Sequence, residues 1–118
     1  MNGWQPEKLP NVMTAVFPVE FCRAGLIACK LIDEVKPDVV IALGQAEGRA
    51  EITPEKISIN LDNARIPDNA GNKPTDAPIV IDGPDAYFST LPVKNLVKVI
   101  ESVGAPAALS LSAGTFLC

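Results

Sequence analysis

Histidine is absent from the 118 residues. That removes the commonest general base and the commonest metal ligand, so neither Ser–His nor Cys–His chemistry can be completed within this chain. Positive charge is also short: 10 Lys+Arg stand against 14 Asp+Glu, a net charge of -4. A nucleic-acid partner is therefore not expected, because neutralising phosphates takes a basic patch. No apolar run approaches the ~20 residues of a membrane span, so no membrane association is expected. Met1 to Pro10 lacks the basic-then-apolar order of a signal peptide. With only three cysteines, the expectation is a cytoplasmic protein with reduced thiols. No ligand set stands at zinc spacing, and no metal or cofactor is expected.

What is present reads as one globular domain over residues 1–118. Hydrophobic content is 47%, above the range of disordered chains, and a chain of this size buries ~65% of its unfolded surface. Val12 to Phe17 is β-branched and apolar and stops at Pro18, which reads as a strand. From Val19 to Val35 the period becomes helical: Phe21, Ala24, Ala28, Leu31, Ile32 and Val35 share one face, with Arg23, Lys30 and Glu34 off it. Pro37 stops that helix. Val39 to Leu43 is a continuous apolar run, read as a strand covered on both faces, so that strand, helix and strand make a βαβ unit.

Farther along, Ile57 to Leu61 alternates as a half-solvated strand does, and Asp62 to Pro78 is a long loop. Ile79 to Ile81 reads as a short strand closed by Asp82-Gly83-Pro84. A second helix starts near Pro92, carries Val93, Leu96, Val97, Ile100 and Val103 on one face, and is capped by Gly104. Ala107 to Leu111 reads as another buried strand, followed by the small-residue turn Ser112-Ala113-Gly114. The fold class is α/β: a largely parallel sheet with flanking helices, an incomplete α/β/α sandwich of phosphorylase/hydrolase-like type. A turn after a buried strand ordinarily feeds a covering helix, so the domain is expected to be truncated.

Several residues could carry chemistry. Cys22 and Cys29 lie on one helix roughly 10 Å apart along its axis, beyond disulfide reach, and read as small core residues. Cys118 follows a strand and a tight turn, where an α/β fold starts a helix. There a thiol meets free N–H groups that favour thiolate; a buried structural cysteine is the other reading. Glu47, Arg49, Glu51 and Glu55 form either a solvated charged loop or a source of a carboxylate that orients a base. Gly44 to Arg49 lacks the Lys-Ser/Thr of a phosphate loop. Arg65 either clamps a substrate or oxyanion or ties its loop down through a surface ion pair.

Taken together, Phe17 to Phe21 (FPVEF), Lys36-Pro37-Asp38, Gly44 to Arg49 (GQAEGR), Asp62 to Asn69 (DNARIPDN), Tyr87 to Pro92 (YFSTLP) and Ser112 to Cys118 (SAGTFLC) resemble the type I pyroglutamyl peptidases, cysteine peptidases with an α/β fold. The resemblance covers nearly the whole chain but little more than half the family's length. It implies that Cys118 is the nucleophile, that Glu55 is the carboxylate of a Cys–His–Glu triad, and that Arg65 lies near the nucleophile. It also implies that Gln45, Ile66, Phe116 and Leu117 line the pocket for pyroglutamate.

The implied substrates are peptides with an N-terminal pyroglutamate, cleaved through an acyl-enzyme. The family's first strand, its glycine- and phenylalanine-containing loop and its histidine-bearing half have no counterpart here. The chain alone is thus expected to be inactive, with a second copy or a complementing chain as partner. The alternative is a non-catalytic remnant acting as a small binding or interaction module.

Overall fold

The computed structural model describes residues 11–117. Helices form where the apolar period is helical. The first, α1, spans Arg23–Val35. Ala24, Ile27, Ala28 and Leu31 are half-buried along one side, close to the expected face, while Ile32 and Val35 at its end are 40% and 43% exposed. Residues 19–22, expected to be helical, instead make a tight turn that leads into α1. Lys36 ends the helix in the left-handed region (φ 51, ψ 56), its N–H donating to the Ile32 carbonyl at 2.8 Å. Pro37 has no N–H to extend the ladder.

The second helix, α2, spans Val93–Ser102. Val93 is buried and Leu96, Val97 and Ile100 are half-buried, as expected, whereas Val103 is 78% exposed. The end is a Schellman motif: Gly104 at φ 85 donates to the Glu101 carbonyl and Ala105 donates to that of Ile100.

Strand formation differs more from expectation. The regular sheet among the described residues is an antiparallel pair, β1 (Ile57–Ile59) with β2 (Ala86–Phe88), in register Ile57 to Phe88, Ser58 to Tyr87 and Ile59 to Ala86. Bonds from Ser89 N–H to the Lys56 carbonyl and from Asn60 N–H to that of Asp85 carry the register one step farther at each end. β2 has no counterpart in the sequence reading. Parallel pairing is present just upstream of β1 as two bridges of constant register, Ile52 with Ala107 and Glu55 with Ser110. Ile52 and Lys56 donate to the carbonyls of Pro106 and Ser110; Pro54, midway between these donors, has no N–H to give. The expected strand Ala107–Leu111 is thus realised only as these bridges.

Neither flank of the expected βαβ unit is a strand. No backbone group of residues 12–17 or 39–43 pairs with another described residue, and β structure without a partner ladder does not form. Residues 79–81 are turn rather than strand, because Asn60 takes the partner's place. Its Oδ1 accepts from Val80 N–H and its Nδ2 donates to the Val80 carbonyl, both at 2.8 Å.

The core is small: Phe21, Ala64, Val93 and Ala107 are its buried apolar residues. Ile41, Leu43, Ile81, Phe88 and Leu111 each keep more than 60% of their surface exposed. Cys22 and Cys29, expected to be buried, are both exposed. Among the described residues, no helix is long and apolar enough to cross a membrane.

Candidate active site

An open cleft of about 920 Å³ lies against the parallel pairing. Its walls come from residues 40–46, 51–55 and 113–117 and from Val93, Leu96 and Ile100 of α2. Gln45, Glu55, Phe116 and Leu117, four residues singled out in the sequence, all line it.

Glu55 is fixed by the backbone on which it sits. Its bridge to Ser110 pins the main chain, and Arg49 Nη1 reaches its Oε1 at 2.8 Å while also donating to Thr53 Oγ1 at 2.7 Å. The second oxygen, Oε2, is sealed from solvent and has no hydrogen-bond partner among the described residues. A buried carboxylate oxygen without a donor costs free energy, and a donor placed in the cleft would relieve it. The acid is thus held by one oxygen, while the other has no donor among the described residues.

Residues 115–117 are held from two sides. Asn63 N–H donates to the Thr115 carbonyl at 3.0 Å, and Thr115 Oγ1 returns a bond to the Asn63 carbonyl at 2.9 Å. From the other side, the Phe21 ring packs edge-to-face on Phe116, with centroids 5.4 Å apart and planes at 85°. This is the favoured geometry of aromatic pairs.

Arg65 and Ile66 stand apart from the cleft. Arg65 is largely exposed and pairs with Glu47 at 3.2 Å, the surface ion pair that was one of its two readings; Ile66 is 49% exposed. Cys118 lies outside the described residues. No group of three or more metal-ligating side chains forms among the described residues.

The structure gives roles to three residues, Arg49 and Asp62 in the cleft and Asp68 beside it, to which the sequence reading assigned no part in the site. Arg49 looked like one charge in a polar loop, and only its spacing to Thr53 and Glu55 could have hinted at a grip. Asp62 lines the cleft, and burial raises its carboxyl above the ordinary value. Asp68 is buried within the DNARIPDN segment. Burial alone would raise its carboxyl too, but donors from Asn72, Phe21 and Ala70 outweigh that and hold it below the ordinary value. Asp is common in turns, so nothing in the sequence marked this one as buried.

Comparison with known proteins gives one family. The pyroglutamyl peptidase profile matches residues 2–118. The pyrrolidone-carboxylate peptidase of Bacillus licheniformis is 49% identical over 118 residues, all of this chain and 54% of that protein. Pyrrolidone-carboxylate peptidase 1 of Photorhabdus laumondii is 59% identical over 108 residues, 92% of this chain and 49% of its own length. Among solved structures, pyroglutamyl peptidase I of Bacillus amyloliquefaciens superposes with a TM-score of 0.83 at 45% identity, over 86% of this chain and 50% of that one. The pyrrolidone carboxyl peptidase of Pyrococcus furiosus gives 0.84 at 48%, over 87% and 50%.

The fold is α/β, and the chain belongs to the pyroglutamyl peptidase family. It spans about half the length of the curated relatives it matches.

Proposed function

We propose that this chain is the nucleophile-and-acid half of a cytosolic cysteine peptidase that removes pyroglutamate from the N-terminus of peptides. In this reading the Cys118 thiolate adds to the carbonyl carbon that joins pyroglutamate to the next residue. The C–N bond then breaks, the leaving amine takes its proton from an imidazolium, and a thioester remains. Water attacks the thioester, giving its proton to the imidazole, and free pyroglutamate leaves as the thiolate is restored. The histidine comes from outside this chain, either from the remainder of the family's fold or from a complementing polypeptide. Glu55 orients it. Phe116 and Leu117 form an apolar wall that suits an uncharged lactam, and the Gln45 amide beside them can hydrogen-bond to it. Arg65 and Ile66, implied by the resemblance as substrate-binding, lie outside this cleft.

The observation that carries this reading is Glu55 Oε2, buried without a partner among the described residues, on a residue that lines the cleft with Gln45, Phe116 and Leu117. A ring N–H of histidine is the donor such an oxygen accepts in catalytic triads. The parallel pairing of residues 52–56 with 106–110 supports a largely parallel sheet in the complete protein.

The test uses a pyroglutamyl-amide chromogenic substrate. The 118-residue chain alone is expected to show no turnover. Mixing it with the family's carboxyl-terminal half is expected to restore turnover that Cys118→Ala abolishes and Glu55→Gln lowers at least 100-fold. A stable mixed complex with no turnover would overturn the catalytic reading and leave the chain as a binding module. The many exposed apolar residues fit either outcome, since both require a covering partner.

A further inference from the structure

Asp68, 8% exposed, is the buried charged residue among the described residues, and the proposed chemistry gives it no part. Its carboxylate accepts four hydrogen bonds. Oδ2 takes Phe21 N–H at 2.6 Å and Asn72 Nδ2 at 3.0 Å; Oδ1 takes Ala70 N–H at 2.9 Å and Asn72 N–H at 2.8 Å. Three of these close its own loop. The bond to Phe21 instead crosses 47 positions to the turn that precedes α1.

That turn is strained. Arg23 N–H reaches back to the Phe21 carbonyl at 2.7 Å across Cys22, which sits at φ 62, ψ -46. This is close to the rare positive-φ form of the γ-turn, and a non-glycine residue stays in it only where the surroundings fix it. The same turn presents the Phe21 ring, 5% exposed, to Phe116, and Phe116 lines the cleft.

We propose that Asp68 is a positioning residue for the cleft: by holding Phe21 N–H it keeps the Phe21–Arg23 turn closed, and the Phe21 ring in turn seats Phe116 in the cleft wall. Its meaning for catalysis rests on reading that cleft as the pyroglutamyl pocket. A second link, Asn69 N–H to the Val19 carbonyl at 3.1 Å, joins the same two segments without the carboxylate. Removing the charge therefore leaves the segments adjacent and frees the turn.

The test is NMR of the 118-residue chain. Asp68→Ala removes both acceptor oxygens and with them the bond to Phe21 N–H. Phe21 amide exchange is expected to accelerate at least 10-fold and the Phe21–Phe116 inter-ring NOEs to vanish, with α2 amides unchanged within two-fold. Retained inter-ring NOEs would overturn the proposal. Asn72→Ala removes a loop-closing donor and spares the bond to Phe21, so it is expected to keep the NOEs; their loss there would show that loop order, not the Phe21 bond, seats the ring. Should Asp68→Ala fail to fold, the parent chain decides: a Phe21 amide that exchanges as fast as an unprotected one would overturn the proposal. The pocket reading fails separately, if saturating pyroglutamate amide shifts neither ring's resonances in the wild-type chain.

Discussion

Arg49 Nη1 lies 2.8 Å from Glu55 Oε1, while the other oxygen of the same carboxylate is shielded from solvent without a donor among the described residues. The asymmetry has a chemical use. A carboxylate with donors on both oxygens would have less acceptor capacity left for a partner, and an ungripped one would rotate freely. Held by one, it keeps a fixed orientation with acceptor capacity in reserve, which is the preorganisation that a base-orienting acid needs.

Arg49→Ala is expected to cost little stability and much orientation. Both partners are about one-third exposed, 37% and 32%, so solvent screening keeps the loss near 0.5–1 kcal/mol, read as a shift in urea unfolding of the 118-residue chain. In the complemented enzyme the same variant is expected to lower kcat about 10-fold with little change in KM, because Glu55 would no longer be aimed. A loss of several kcal/mol, or a pure KM effect, would show that Arg49 supports the fold or the substrate instead.

The parts of this structure that were legible in the sequence are those decided locally. α1 and α2 follow from apolar residues at helical spacing, and their ends from Pro37 and Gly104, each acting within a turn of its own position. Of the strands, β1 was legible in the alternation of Ile57 to Leu61; the rest were not, because an apolar run becomes a strand only when another ladder meets it. Val39 to Leu43 has the composition of a buried strand and no backbone partner among the described residues. Ala86 to Phe88, three residues between a turn and a Ser-Thr pair, pairs with β1. In the site, Glu55, one carboxylate of a charged loop, and Gln45, named only through the resemblance, line the same cleft. The links from Arg49 to Glu55 and from Asp68 to Phe21 depend on side-chain reach across the folded chain.

Gly83→Ala is expected to destabilise the chain by about 1–3 kcal/mol, the range for overpacking. A Cβ there would stand 2.7 Å from Tyr87 Oη and 3.1 Å from both Asn60 Nδ2 and Val80 Cβ. The tyrosine hydroxyl can swing away, but the Asn60 amide is tied at both ends to Val80. Urea denaturation measures the loss, and amide exchange should place it at Val80. An unchanged midpoint would mean that the Asn60–Val80 clasp yields at no cost.

Asp68 and Asp62 should give opposite pH signatures. Asp68 titrates below the ordinary value of 3.8 in the folded chain, so its stabilisation is complete above that value and is lost as pH falls through the folded one. Asp62 titrates above it because of burial; its charge therefore opposes folding at neutral pH, and acid relieves the penalty. Urea midpoints followed from about pH 7 to pH 2 should show a flatter acid limb for Asp68→Asn. Asp62→Asn should show a small gain at neutral pH with the acid limb retained. The same response from both variants would contradict this assignment.

The exposed apolar run at residues 39–43 should govern association. Val39, Val40, Ile41 and Leu43 are 55%, 53%, 64% and 68% exposed, and their backbone groups are unpaired among the described residues. Apolar side chains next to open N–H and C=O groups form a template for another strand. The chain should therefore self-associate with rising concentration in sedimentation velocity and enhance the fluorescence of a dye that binds apolar surface. Ile41→Lys places a charge in the middle of the run, at a side chain 64% exposed, where little packing is lost. It should weaken association at least 10-fold while moving the urea midpoint by no more than about 0.5 kcal/mol. If the lysine variant associates as the parent does, the contact lies on another face, and the next residues to probe are Phe88 and Ile81, 65% and 78% exposed.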